Sequence, residues 1–267
     1  MSRTPLDGGT LRRRLADGDT TVGTFVGMAS ATATEVCAAA GADWVLIDLE
    51  HGAGSEDVLR DSVLAAGSYA VPAIVRVESG ARIRIGRVLD QGAAGVMVPR
   101  VEKPDDLVDV LSHLRYPPHG DRGVATYNRS CRWGLDRSPL TDPTQNTLGV
   151  IQIETLAALD AVNEIVALDG VDVLFVGPLD LSFALGVPLQ FDSPEFVAAT
   201  ARVLDAAAAH GKAAGILAAN AVVAARYVER GFRFVTVGSD SAVLVAALRD
   251  AFAAVRKNIR RNEKGRS

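Results

Sequence analysis

Glu154 and Asp180 stand one βα unit apart, each where a short apolar run gives out. Glu154 ends Val150-Ile151-Gln152-Ile153-Glu154. Asp180 follows Val173-Leu174-Phe175-Val176-Gly177-Pro178-Leu179. Runs this short between helix-like segments read as buried strands of a parallel sheet. Such folds bind ligands beyond the carboxyl ends of their strands. Two carboxylates delivered there offer anionic oxygens to a hard divalent cation and leave positions for water or substrate. Either acid alone reads as a helix N-cap, because Glu154-Thr155 and Asp180-Leu181-Ser182 both precede helical patterns. The pair at equivalent points of consecutive units favours a metal.

Other strand ends add to the set. Asp48-Leu49-Glu50-His51-Gly52 closes one run and Arg76 another. Together these groups can do enolate chemistry. A cation chelated by a 2-oxo acid acidifies its methyl protons, and Arg76 offsets charge on the keto oxygen. His51, ordinarily titrating at about 6.5, moves the proton. Singly, Arg76 reads as a salt-bridge partner and His51 as a hydrogen-bonded structural residue. Asp48 and Glu50 read as caps of a helix starting near Ser55, for which Ser55 is the better cap. Gly238-Ser239-Asp240-Ser241 resembles a barrel phosphate site at a helix N-terminus, with a plain Ser or Asp cap the favoured reading.

The elements that must position these residues alternate along all 267 residues. Strands are expected at 21–26, 44–48, 73–76, 95–98, 149–153, 172–176, 213–216 and 234–237. Helices are expected at 32–40, 56–69, 81–91, 104–114, 156–167, 195–210, 221–229 and 241–260. Glycines 41, 92 and 231 fall between a helix and the next strand, which suits helix C-termini. Eight such units predict a single-domain α/β fold, a (β/α)8 TIM barrel over 1–267, with 1–20 as an N-terminal extension and 261–267 as a basic tail. An open doubly wound sheet is disfavoured because no GxGxxG follows the first strand. One connection, 115–147, is longer than the ~15 residues usual for a structureless loop. Its arginines and aromatics suggest that part of it covers the active site.

Composition limits the partners. Hydrophobic residues at 48% and charged residues at 22% describe a globular chain, not a disordered one. A net charge of −4 argues against nucleic acid. No apolar segment reaches the ~18 residues of a membrane span. Arg12-Arg13-Arg14 is followed by Leu-Ala-Asp-Gly-Asp, unlike a secretory signal. Cys37 and Cys131 form neither a CxxC nor a disulfide framework. A cytoplasmic protein is expected.

The motifs Asp48-Leu49-Glu50-His51-Gly52, Arg76, Tyr116-Pro117-Pro118 with Arg122-Gly123, Arg132-Trp133-Gly134, Gln152-Ile153-Glu154-Thr155, Gly177-Pro178-Leu179-Asp180-Leu181-Ser182 and Gly215-Ile216-Leu217 come in a known order. From about Gly23 to Val245 the chain resembles the HpcH/HpaI aldolase family. The resemblance implies a metal-dependent class II aldolase, a carbon–carbon lyase. It would reversibly cleave a 4-hydroxy-2-oxo acid to pyruvate, through its enolate, and an aldehyde. It implies a (β/α)8 barrel assembled as a hexamer, a trimer of dimers with an exchanged C-terminal helix. Glu154 and Asp180 would hold Mg2+, Mn2+ or Co2+, and Asp48 and Glu50 would hold waters around the metal. His51 would be the acid/base, acting through a water and oriented by Asp90 of a neighbouring subunit. Arg76 would stabilise the enolate and Gln152 would bind pyruvate. Backbone N–H groups near Leu179 and Asp180 would hold its carboxylate, and Gly177, Leu179, Phe25 and Leu217 would line the substrate pocket.

Three departures bear on substrate. Leu179 stands where many relatives have a small residue and should favour small aldehydes. Phe25 stands where many have Trp. The loop Ala125-Thr126-Tyr127-Asn128-Arg129-Ser130 differs from the small-residue version expected of sugar-acid aldolases. These keep open another enolate reaction, citrate-synthase-like or macrophomate-synthase-like. A non-catalytic barrel that binds a 2-oxo acid is the reading from outside enzymology.

Overall fold

The computed structural model describes residues 8–142 and 146–264. In chain order the elements are α1 (Gly8–Ala16), β1 (Thr21–Val26), α2 (Ala31–Ala39), β2 (Trp44–Asp48), α3 (Glu56–Ser68), β3 (Ala73–Arg76), α4 (Arg82–Asp90), β4 (Gly95–Val98), α5 (Pro104–Ser112) and α6 (Ser138–Thr141). They continue with β5 (Leu148–Ile153), α7 (Leu156–Asp160), α8 (Val162–Ala167), β6 (Val173–Val176), α9 (Pro178–Ala184), α10 (Pro194–Ala209), β7 (Ala213–Ala218), α11 (Ala221–Arg230), β8 (Phe234–Ser239) and α12 (Asp240–Lys264). The eight strands are all parallel, pair in chain order and close, β8 back onto β1. This is the expected (β/α)8 barrel in one domain. The helix expected at 156–167 is interrupted at Ala161.

Strand alternation sorts side chains into two cores. Outward residues such as Val45, Ile47, Val75, Ile151 and Val176 pack with the helices. Inward residues Phe25, Trp44, Leu46, Ile74, Met97, Val150, Phe175 and Phe234 fill the barrel. Trp44 stacks on Phe234 at 3.8 Å, which needs the glycine at position 23, since a Cβ there would lie 2.4 Å from the indole. The same alternation carried one step further puts Asp48, Arg76 and Gln152 on the inner side at the carboxyl ends of β2, β3 and β5.

The opposite end is closed by α1. Leu11 joins the inner core, and Arg12 donates to Asp172 at 2.7 and 3.0 Å and to the Thr147 carbonyl at 2.6 Å. The segment read as an extension therefore includes, from Gly8, a packed helix. Within its own chain the described residues of the long connection do not cover the carboxyl rim, contrary to the expectation. It links α5 to β5 and so must return to the amino ends of the strands. There Arg129 donates its N–H to the Asp90 carbonyl at 3.1 Å. Helix α12 runs through Lys264, so the last three residues of the expected tail lie outside the described residues. Its Val243, Leu244, Val245, Leu248, Phe252, Val255 and Ile259 are 43–59% exposed.

Candidate active site

The carboxyl rim is organised around one arginine. Arg76, 8% exposed, donates from Nε and Nη2 to the two oxygens of Asp48 at 2.9 and 2.6 Å. Its Nη1 lies 3.1 Å from Glu50 Oε2, close but not aligned as a hydrogen bond, so that buried oxygen keeps an unmet acceptor. Asp48 Oδ1 also accepts the N–H groups of Glu50 and His51 at 3.1 and 3.2 Å, closing the turn that follows β2. Burial works against the Asp48 charge, but the Arg76 guanidinium and these amides outweigh it and hold the carboxyl below the usual carboxylate range. The His51 imidazole is 68% exposed, with Nε2 3.9 Å from Glu50 Oε2. Arg76 also sits over the Phe25 ring, 5.1 Å from its centroid.

The second half comes from β5, β6 and the loop after β4. Glu154, 3% exposed, accepts the Arg100 backbone N–H on Oε1 at 2.7 Å and the Gln152 amide on Oε2. Gly177 lets this pair approach: a Cβ there would lie 2.6 Å from Glu154 Oε2 and 2.7 Å from Gln152 Nε2. Gln152 Oε1 is buried without a partner. Asp180 lies exposed in the first turn of α9, beside Leu179, itself half-exposed. Gly177 is the N-cap of α9 and Pro178 has no N–H, so Leu179 and Asp180 present the first helix amides. Burial pushes the Glu154 carboxyl up, and the like charges of Asp180 and Glu50 add to this; the Arg100 amide and Arg76 offset part of it. Neither acid is a cap: Thr155 caps α7 through the Ala158 N–H at 3.0 Å.

Asp48, Glu50, His51, Arg76, Gln152, Glu154, Gly177 and Asp180 thus gather at one rim. Phe25 and Leu217 stand at the top of the inner core beneath it. Asp90 does not join them within the chain. It ends α4 at the other end of the barrel, and Arg122 holds it there at 2.8 Å. Arg100 was missed. It holds φ +50° just past β4, and only the fold brings its amide across 54 residues to Glu154. Glycine-serine-aspartate at 238–240 does not form an anion site. Ser239 Oγ caps α12 through the Ala242 N–H at 3.2 Å, and the Asp240 carboxylate takes the nearby amides of Gly27 and Met28.

The donor set fits a divalent cation. Three carboxylates crowd one another, one raised by burial and further by its neighbours' charges, and two buried oxygens, on Glu50 and Gln152, lack hydrogen bonds. Among the described residues no three or more His, Cys, Asp or Glu side chains enclose a metal. A site built on Glu154 and Asp180 would leave most coordination positions to water and substrate.

Fold and rim together define a (β/α)8-barrel enzyme whose polar groups converge where such barrels do their chemistry. The sequence profile of the HpcH/HpaI aldolase/citrate lyase family matches residues 21–247. The chain is 34% identical over 238 residues to the 2-keto-3-deoxy-L-rhamnonate aldolase of Escherichia coli O157:H7, covering 89% of each. It superposes on the crystal structure of an HpcH/HpaI aldolase/citrate lyase family protein from Burkholderia cenocepacia J2315 with a TM-score of 0.88 and 35% identity, over 93% of this chain and 99% of that one. The citrate synthase SbnG superposes at 0.82 with 27% identity, over 93% and 98%. This chain belongs to the HpcH/HpaI aldolase/citrate lyase family, and it is a carbon–carbon lyase.

Proposed function

We propose that the protein reversibly cleaves a 4-hydroxy-2-oxo acid to pyruvate and a small aldehyde. The observation that carries this is the meeting of the Asp48–Arg76–Glu50 cluster with the Gln152–Glu154–Gly177 cluster at one rim. Glu154 and Asp180 would hold Mg2+, Mn2+ or Co2+, with Asp48 and Glu50 binding its waters. When bound, such a cation would polarise the 2-oxo group and make that carbonyl a better sink for the C3–C4 electron pair.

The chain's own groups do the rest. The N–H groups of Leu179 and Asp180 receive the substrate carboxylate at the α9 N-terminus. Gln152 donates to the bound 2-oxo acid, and Phe25 and Leu217 border its carbon chain. His51, exposed and beside Glu50, takes the C4 hydroxyl proton through a water. The C3–C4 bond breaks, the aldehyde leaves, and the electron pair passes into an enolate whose oxygen faces Arg76. His51 then returns that proton, through the water, to C3, which gives pyruvate and frees the imidazole for the next turnover. Leu179, projecting beside Asp180, narrows the aldehyde side and favours small acceptors.

The half-reaction is tested without knowing the aldehyde. Pyruvate in D2O should lose its methyl proton signal with enzyme and added Mg2+, Mn2+ or Co2+, and keep it with EDTA. No exchange with any of the three metals would remove this reading. The half-exposed Leu179 favours, as a second reading, a citrate-synthase-like or macrophomate-synthase-like use of the same enolate. Oxaloacetate decarboxylation without turnover of any aldehyde would favour that one.

Assembly follows the same reading. The half-exposed apolar side chains of α12 would be covered by exchange with another copy, in a hexamer built as a trimer of dimers. The face carrying Asp90 would then approach a neighbour's His51. Two free cysteines suit the reducing cytoplasm, and no described helix is long and apolar enough to cross a membrane.

A further inference from the structure

We propose that Asp240 is a positioning residue: it clamps the β1–α2 loop and, through that loop, sets the turn that carries His51. The inference rests on the reading of His51 as the proton carrier. Asp240 Oδ1 accepts the Gly27 N–H and Oδ2 the Met28 N–H, both at 3.1 Å. The Gly27 carbonyl in turn accepts the Ala53 N–H at 2.8 Å. Ala53 lies two residues beyond His51, in a turn with no room to spare. A Cβ at Gly52 would stand 2.1 Å from the Asp48 carbonyl oxygen and 3.3 Å from that of Gly27.

The His51 turn is therefore held at two points. Asp48 holds its start through the Glu50 and His51 amides. Gly27 holds its end, and Asp240 holds Gly27. The loop being clamped is not one the backbone would choose. Ala29 sits at φ +52°, in the left-handed region, which persists only where surroundings impose it. Asp240 Oδ1 also accepts the Ser241 N–H at 2.7 Å, which fixes the carboxylate on its own helix, while Ser239 Oγ serves the Ala242 N–H. A carboxylate offers a separate acceptor oxygen to each of two consecutive amides, as here; asparagine offers one such oxygen, and serine a single, shorter hydroxyl.

The test compares Asp240→Ser and Asp240→Asn with wild type in pyruvate methyl exchange. His51→Gln is the control for the underlying reading. Asp240→Ser should lower kcat about tenfold, in line with the cost of a small misplacement of a catalytic group, while KM for pyruvate stays within about twofold because Arg76, Gln152, Glu154 and Asp180 are untouched. Asp240→Asn, keeping one acceptor, should fall between. The chain has four histidines, so the His51 imidazole signal in heteronuclear NMR is assigned by its loss in His51→Gln. It should shift or broaden in Asp240→Ser while the other three stay. Wild-type kcat with an unmoved His51 signal would overturn the proposal, even if Asp240→Ser melts at a lower temperature. If Asp240→Ser does not fold, Asp240→Asn decides by the same two readouts. If His51→Gln exchanges protons as fast as wild type, the reading of His51 fails, and the imidazole signal alone decides the clamp.

Discussion

Arg76 serves two acids from one guanidinium. Its fork geometry engages both Asp48 oxygens, and its remaining nitrogen faces Glu50. Removing it withdraws the cation facing the enolate oxygen and leaves Asp48 charged and buried. Arg76→Ala should therefore lower pyruvate exchange and aldol cleavage together by ~10²–10³-fold, the scale of losing one electrostatic stabiliser. Its thermal stability should fall by about 3–5 kcal/mol, the usual cost of breaking a buried pair. Asp48 also fixes a pH dependence. Its folded carboxyl titrates below the unfolded one, so the pair's contribution is fully present above about 3.9, the unfolded value, and is lost as pH falls through the lower folded value. The stability gap between wild type and Asp48→Asn, measured by urea unfolding, should hold level from about pH 6 to about pH 4 and narrow as the buffer is taken lower, toward about pH 3. Glu154 has the opposite sign. Its raised carboxyl makes ionisation unfavourable to the fold, a cost present above its folded value and relieved as pH falls through it. A bound cation should relieve the same cost. Saturating Mn2+ should raise the melting temperature of wild type, and EDTA should reverse it. Equal metal-induced shifts in wild type and Glu154→Gln would place the metal elsewhere.

At the scale of elements, the site depends on how closely β5 and β6 can present their ends. Gly177 has φ −87°, which alanine tolerates, so Gly177→Ala tests contact and not backbone strain. The added methyl must push the Glu154–Gln152 pair aside. Metal affinity should fall on the order of 10–100-fold, the range seen when groups supporting a ligand are disturbed. Isothermal titration with Mn2+ measures it, and an unchanged Kd would show that the pair is not what holds the metal. This division also explains what could be read from the chain. Strand ends were legible because period-two alternation and short apolar runs are local signals, and Asp48, Arg76, Gln152 and Glu154 ride on them. The contributions of Arg100 and Asp240 were not, because their hydrogen bonds cross 54 and 213 residues and exist only once the barrel closes. The 115–147 connection misled for a related reason. Its arginines and aromatics look like a lid, yet Arg122 stacks on Tyr116 at 4.4 Å and pairs with Asp90, which anchors it to the end of α4.

The whole molecule presents two features that a single chain does not use. Helix α12 leaves a run of apolar side chains about half-exposed, more than a monomer ordinarily shows in one place. Ending the chain before Ala242 should therefore shift the light-scattering mass in size-exclusion chromatography to the monomer, and unchanged mass would remove α12 from assembly. Asp90, with its side chain 33% exposed, ends α4 at the end of the barrel opposite its own His51. If it serves a neighbour's His51, each active site draws on two chains. His51→Gln and Asp90→Asn, each weak alone, should then complement. When the two are unfolded together and refolded as a 1:1 mixture, half the sites carry an intact His51 and half of those face an intact Asp90, so exchange should recover to about a quarter of wild type in a closed symmetric assembly. Activity no higher than the average of the separate variants would confine Asp90 to its own chain. Full activity of Asp90→Asn alone would reduce the Asp90–Arg122 pair to a fastening for the long connection, and His51 would have to be oriented by Glu50 and its own turn.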